Sequence, residues 1–247
     1  MERWQNRVAV VTGGSSGIGE AIVDELLQAG LVVVALARRV ERLESHKRSL
    51  PEEQQKRLHT IGTDVSSKKS VDDAFDWVEE KLGGIDILVN NAGTMTLGNL
   101  VSMDIEKVQS TVQVNIMGVV YATQRAFKSM KERSFDGHVV TINSVLGHHI
   151  DNLPGVAPQF NIYPPTKYAV TAMSEIFRQE FEGLNTGIKM TSVSPGLTDT
   201  EIVPDVFKKR VKNILKPKDV ADVVLFVIST PPHVLIPEVK VQPVRPL

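Results

Sequence analysis

No cysteine occurs anywhere in the chain. Disulfides, thiolate nucleophiles and cysteine-ligated zinc are therefore excluded. Nor is there an excess of either charge: 28 Lys+Arg against 29 Asp+Glu leave a formal net charge of −1. Such a balance offers no field for gathering nucleic acid or anionic lipid. No apolar run reaches the length of a membrane span, and the opening Met1-Glu2-Arg3-Trp4 does not resemble a secretory leader. A cytoplasmic protein with no nucleic-acid partner and no membrane span is expected. Internal repeats, low-complexity tracts and interdomain linkers are missing too. What is present is ordinary globular composition, 42% hydrophobic and 23% charged over 247 residues. That suits one large α/β domain over residues 1–247, with a core that needs no staple or metal.

Apolar runs suited to buried parallel strands alternate with amphipathic stretches. Strands are predicted at 8–12, 32–37, 58–63, 85–90, 138–143, 189–194 and 239–242. Helices are predicted at 20–29, 70–82, 105–131, 168–182 and 218–229. This β-α alternation implies a Rossmann-type, doubly wound parallel sheet in a three-layer α/β/α arrangement. In such sheets, ligands lie beyond the carboxyl ends of the strands. The irregular segments near 145–162 and 197–216 follow strand ends and are expected to wall a substrate pocket.

Thr12-Gly13-Gly14-Ser15-Ser16-Gly17-Ile18-Gly19 lies between the first strand and the first helix. Glycines there allow a tight turn and close approach of backbone to a pyrophosphate. The helix N-terminus adds unpaired N–H groups and positive dipole. The strand–turn–helix context makes Gly13, Ser15, Ser16, Gly17, Ile18 and Gly19 candidates for holding a dinucleotide, against the alternative of a packing turn. The second strand ends in Ala37-Arg38-Arg39, where an NAD site usually has an acid on the ribose hydroxyl. Two guanidiniums instead suit a 2′-phosphate and so favour NADP. Arg38 stands closer to the strand end, whereas Arg39 also reads as the start of a charged surface helix with Glu41, Arg42 and Glu44. Asp64-Val65 could hold the adenine, or Asp64 could simply form a turn. Asn90-Asn91-Ala92-Gly93 ends the fourth strand, where small residues would let the chain pass the cofactor.

Tyr163 and Lys167 are one helical turn apart. A tyrosine of pKa about 10 is a poor base unless a cation stabilises its phenolate, which Lys167 could do while holding a ribose. Ser144, ending the preceding strand, could hydrogen-bond a substrate oxygen as charge develops there. A Tyr-x-x-x-Lys pair alone is an ordinary helix surface. It gains meaning from the glycine loop and the serine.

With these residues in place, the chain resembles the short-chain dehydrogenases/reductases over essentially its whole length, through 12–19, 90–93, Asn115, Ser144, 163–167 and 195–200. The resemblance implies an Asn115-Ser144-Tyr163-Lys167 tetrad. In it Asn115 maintains a helix kink and a water relay, Ser144 orients the alcohol or carbonyl, and Tyr163 is the acid/base. It also implies a nicotinamide clamp from Pro195, Gly196 and Thr200, with Thr198 contributing backbone, and a homodimer or homotetramer built through the long helices. Two features depart from the pattern. Pro164 and Pro165 require the helix to start near Tyr163, with Asn161 as its expected cap. Between Ser144 and Tyr163 lies a longer segment containing Leu153-Pro154-Gly155-Val156-Ala157-Pro158.

The chain is more similar to the insect farnesol dehydrogenase-like branch than to a vertebrate carbonyl and hydroxysteroid reductase branch, on its opening residues and on Asn161-Ile162-Tyr163-Pro164-Pro165-Thr166-Lys167. This implies a small apolar alcohol or carbonyl substrate. Leu146, Phe160 and Leu197 are the principal substrate candidates, with Leu153, Val156, Ile162, Ile202, Val203 and Phe207 as further apolar walls. A carbonyl, hydroxysteroid or hydroxy-acid substrate is the alternative. A hydroxy acid would need a pocket cation, and Lys208, Lys209 and Arg210 read as a solvated helix face. A non-catalytic nucleotide sensor would have no need of Tyr163 and Lys167 at this spacing. His148 and His149 read as solvated loop histidines, and no metal is expected.

Overall fold

The β-branched run Val8–Thr12 forms strand β1, buried along its whole length. Its alternate side chains enter two different cores: Val8 and Val10 one, Ala9 and Val11 the other. That is what a strand covered on both faces requires. The computed structural model describes residues 1–150, 159–209 and 212–244. After β1 come α1 (Gly17–Gln28), β2 (Val32–Ala37), α2 (Val40–Ser49), α3 (Glu52–Arg57), β3 (Leu58–Gly62), α4 (Lys68–Leu82) and β4 (Ile87–Asn90). The second half adds α5 (Ile105–Val112), α6 (Gly118–Glu132), β5 (His138–Ile142), α7 (Tyr163–Gly183), β6 (Lys189–Pro195), the one-turn α8 (Asp205–Lys208), α9 (Pro217–Ser229) and β7 (Glu238–Val241).

The strands form one seven-stranded sheet in the order β3-β2-β1-β4-β5-β6-β7, with every neighbouring pair parallel. One core packs Ile22, Leu26, Val220 and Val224 of α1 and α9 on one face. The other packs Phe75, Ala122, Met130 and Phe181 of α4, α6 and α7 on the opposite face. This is the expected three-layer arrangement. Strand order reverses between β1 and β4, so the crevice for a ligand opens at their carboxyl ends. Among the described residues, no helix is long and apolar enough to cross a membrane.

Three elements differ from expectation. The helix predicted over 105–131 is divided by a π turn, Gln113–Met117, into α5 and α6. Helix α7 starts at Tyr163, as the two prolines require and not at the 168 of the periodicity, because Pro164 and Pro165 occupy the first turn, where backbone N–H groups have no intrahelical acceptor. Its N-cap is Ile162, not Asn161, which takes a left-handed φ of 39°. Helices α2 and α3 were not resolved as separate elements by periodicity, since Leu43 is the only buried residue of α2 and α3 has none.

At the amino end of the sheet, Asp86 joins the two strands that flank the crevice. Its buried carboxylate accepts from the Val8 N–H at 3.0 Å and from Arg133 Nη1 at 2.8 Å. Asp86→Ala removes the acceptor of Arg133 Nη1 and of a buried N–H. We expect a loss of about 1–3 kcal/mol in denaturant unfolding; a loss under about 0.5 kcal/mol would show that water replaces the carboxylate.

Candidate active site

The glycine loop is held against the chain that follows β4. Thr12 Oγ1 accepts from the Asn91 and Ala92 N–H groups at 3.0 and 3.1 Å. The Asn91 carboxamide donates to the carbonyls of Thr12 and Gly13 at 2.9 and 3.1 Å. A Cβ on Gly13 would lie 2.8 Å from Ala92 Cα, and one on Gly19 would overlap the Gly13 carbonyl and the Asn91 amide. Gly13 and Gly17 have φ of +68° and +58°, which glycine adopts without steric cost. Ser16 is the N-cap of α1 but gives no side-chain cap. The first N–H groups of α1 therefore face the crevice without a protein side-chain acceptor, which fits a pyrophosphate. Ser15 is buried in the same turn and Ile18 is part-buried.

At the adenine end, the structure separates the two arginines. Arg39 Nη2 donates to Ser16 Oγ at 3.0 Å, beside the glycine loop, while its Nη1 and that of Arg42 contact Glu201 at 3.1 and 2.6 Å. Arg38 is exposed and acts electrostatically on Asp64. Burial pushes the Asp64 carboxyl up, but hydrogen bonds from Ser66 and the Arg38 charge hold it below the usual carboxylate range overall. Asp64 accepts from the Ser66 N–H at 2.9 Å and its hydroxyl at 2.7 Å. It is thus a turn residue in this state, as its type and position also allowed. Val65 packs on Gly118 of α6.

Asn115, inside the π turn, is 2% exposed. Its Oδ1 accepts from the Thr94 N–H at 2.8 Å, and its Nδ2 donates to the Thr94 carbonyl at 2.9 Å and Thr166 Oγ1 at 3.1 Å. The extra residue of a π turn brings this one side chain inward without ending the helix. Thr166 precedes Lys167, so the bond ties the π turn to α7. Ser144 follows β5, where its Oγ accepts from the Leu146 N–H at 3.1 Å and shares a hydrogen bond with Tyr163. Burial pushes the Tyr163 phenol up to about 12, opposed by the Ser144 bond. Burial also pushes the Lys167 ammonium down to about 8. Lys167 Nζ donates to the Ile142 carbonyl at 2.8 Å and lies 5.7 Å from the Tyr163 ring centroid. The Lys167 ammonium is thus directed at a peptide carbonyl, and burial sets the Tyr163 phenol above its ordinary value.

The segment after β6 closes the site. Pro195 is buried, and the Gly196 N–H donates to the Val241 carbonyl at 2.7 Å. Thr198 Oγ1 donates to the Gly196 carbonyl at 3.0 Å, and Thr200 Cγ2 would lie 3.0 Å from a Cβ on Gly17. Thr200 thus reaches the glycine loop. Gly93 is exposed, and Leu146, Phe160 and Leu197 are part-buried. Phe160 pairs with Gly98 through a parallel bridge. Leu153, Val156 and Arg210 lie outside the described residues, as does the Phe207 side chain. Two surface assignments change. Lys208 is tied to Asp199 at 2.7 Å rather than solvated. His148 is largely buried, its Nε2 2.9 Å from Ser194 Oγ and 2.7 Å from Glu238.

A family model described as short chain dehydrogenase matches residues 7–211. The chain belongs to that family. A farnesol dehydrogenase of Aedes aegypti is 46% identical over 245 residues, covering 99% of this chain and 98% of that protein. The solved alcohol dehydrogenase of the archaeon Thermococcus sibiricus, complexed with 5-hydroxy-NADP, has a TM-score of 0.81 at 28% identity and covers 95% of both chains. A short chain dehydrogenase from Burkholderia cenocepacia J2315, in complex with NADP, has a TM-score of 0.84 at 28% identity and covers 97% of this chain and 98% of that one. The enzyme is an oxidoreductase of the short-chain type.

Several residues of the site carry no sequence signal of their own. Thr12 had only its place before Gly13, and Thr166 only its place beside Lys167. Glu201 meets its arginines across about 160 residues of chain. The glycine geometry gives a direct test. Gly19→Ala should weaken dinucleotide binding by at least about tenfold in a fluorescence titration, since the methyl overlaps the Gly13 carbonyl. Gly183→Ala, with nothing within 4 Å of the new methyl, should leave it unchanged. Equal affinities for the two variants would dismiss the loop as the nucleotide cradle.

Proposed function

We propose that the enzyme is NADP-dependent and moves a hydride between nicotinamide and an apolar, prenyl-type alcohol or its carbonyl, with farnesol the first candidate. The observation that carries the reading is the convergence of Ser144, Tyr163 and Lys167 beyond β5, together with the glycine loop that leads into an uncapped α1. The two solved neighbours that hold NADP or its 5-hydroxy form, and the arginines beyond β2, support the choice of cofactor. The glycine loop with Ala92 and Gly93 would receive the pyrophosphate side, and Arg38 and Arg39 the 2′-phosphate. Asp64 and Val65 would meet the adenine, and Pro195, Gly196, Thr198 and Thr200 the nicotinamide end. Asn91 serves by bracing the loop.

NADP, when bound, supplies or accepts the hydride. Tyr163 gives a proton to the substrate oxygen in reduction and takes it back in oxidation. Ser144 donates a hydrogen bond to the same oxygen, where charge develops. Lys167 holds a ribose and, with its charge in the dry site, opposes the cost of forming a phenolate. Asn115 keeps the π turn docked on α7. Leu146, Phe160 and Leu197 offer apolar wall to a long hydrocarbon, at about 25 cal/mol per Å² buried. A hydroxy acid is less well served, because Asp199 already neutralises Lys208. The reading includes a homodimer or homotetramer, supported by exposed Tyr168, Ile176 and Leu184 along α7.

A kinetic panel of farnesol, short alcohols, steroids and hydroxy acids, each with NADP and NAD, tests the assignment. Farnesol with NADP should give the highest kcat/KM, and Tyr163→Phe should abolish turnover while retaining NADPH binding. A hydroxy acid outrunning every prenyl alcohol would reject the substrate, and wild-type rates in Tyr163→Phe would reject the acid/base role.

The pH profile follows from the two shifted groups. Tyr163 is protonated below about 12 and Lys167 charged below about 8. Carbonyl reduction needs both of these forms, so its rate should be level near neutrality and fall above about pH 8. Oxidation needs the phenolate and should rise with pH from neutrality, by up to about tenfold per unit. An oxidation rate that falls between pH 6 and 8 would contradict this proton inventory.

A further inference from the structure

The ion-paired cluster over the glycine loop has a member that the cofactor reading does not use. Glu201 lies just beyond Thr200, whose methyl approaches Gly17. Its carboxylate takes Arg39 Nη1 on one oxygen at 3.1 Å and Arg42 Nη1 on the other at 2.6 Å. Arg39 reaches Ser16 with its Nη2 at 3.0 Å. Arg39 is also the N-cap of the ten-residue α2, so its cation stands at the positive end of a helix dipole. Two guanidiniums beside a helix N-terminus favour an anion, and Glu201 is the carboxylate that pairs with both. The Glu201 carboxyl is accordingly held below its ordinary value by Arg42 first and Arg39 second.

We infer that Glu201 is a specificity-determining residue: a built-in anion that competes with the 2′-phosphate of NADP for Arg39 and Arg42 and so tempers the preference for NADP over NAD. The inference rests on the NADP reading above. A 2′-phosphate that takes the Nη1 groups of Arg39 and Arg42 must displace the carboxylate, with Arg38 left uncontested, whereas the ribose hydroxyl of NAD displaces nothing. The cost therefore falls on one cofactor alone. Side-chain exposures of 43% for Arg39, 44% for Arg42 and 59% for Glu201 make the effect modest, as for other solvent-exposed ion pairs. The Arg42 contact, the shorter of the two, anchors the competitor without touching Ser16.

The test is equilibrium binding of NADPH and of NADH, by nucleotide fluorescence, to the wild type, Glu201→Gln, Arg42→Ala and the double variant. Glu201→Gln should tighten NADPH about two- to fivefold and leave NADH within about twofold, the range that exposed ion pairs allow. The gain should shrink in the Arg42→Ala background, where the carboxylate has lost its shorter contact. Raised ionic strength should narrow it too. Weaker or unchanged NADPH binding in Glu201→Gln would overturn the inference and make Glu201 a holder of the arginines or a bystander. Equal shifts for both nucleotides would overturn it as well. A wild type that binds NADH more tightly than NADPH would overturn the cofactor reading itself, a result visible before any variant is compared.

Discussion

The turn after β1 lies backbone against backbone on the chain leaving β4, so near that a Cβ on Gly13 would come within 2.8 Å of Ala92 Cα. Thr12 and Asn91 bind those two segments with four hydrogen bonds, and glycine at 13 and 19 leaves no side chain to force them apart. Everything on the cofactor side depends on this seam. It fixes where α1 begins, and so where the uncapped N–H groups point. It also sets how far the post-β6 segment must reach to meet Gly17. A brace made from a buried hydroxyl and a carboxamide is suited to the purpose, because each pairs with backbone groups that would otherwise be left bare.

The chemical half of the site is built on a second brace. Asn115 satisfies both backbone groups of Thr94 and reaches Thr166. It thereby connects the chain after β4 to the first turn of α7, between Tyr163 and Lys167. Burial then acts on those two side chains in opposite directions and favours the neutral form of each. Burial thus keeps the phenol protonated and makes the lysine easier to deprotonate, until a charged partner arrives. In the proposed reaction that partner is the bound cofactor and substrate, and the proton moves at Tyr163.

The fold was largely legible because parallel strands covered on both faces leave unbroken β-branched runs, as in β1, β2 and β5. Helices with a clear apolar stripe, α4 and α9 among them, were equally plain. The charged α2 and α3 were not, since helices that bury one residue or none have no stripe to find. The π turn was invisible to a 3.6-residue periodicity that continues on both sides of it. Asn115 came from family resemblance alone, and the structure supplies the physical reason for it in three hydrogen bonds.

Residue type and local order determined the glycine turn, the Tyr-x-x-x-Lys spacing and the requirement that α7 begin at the tyrosine. These are properties of neighbouring residues, fixed by φ, by proline's missing N–H and by helical pitch. Tertiary structure alone decided which arginine meets the glycine loop, where the Lys167 charge is directed, and that His148 and Lys208 are paired rather than solvated. Such outcomes depend on groups brought together from distant segments. Glu201 and its arginines are about 160 residues apart in the chain, and only the folded sheet makes them neighbours.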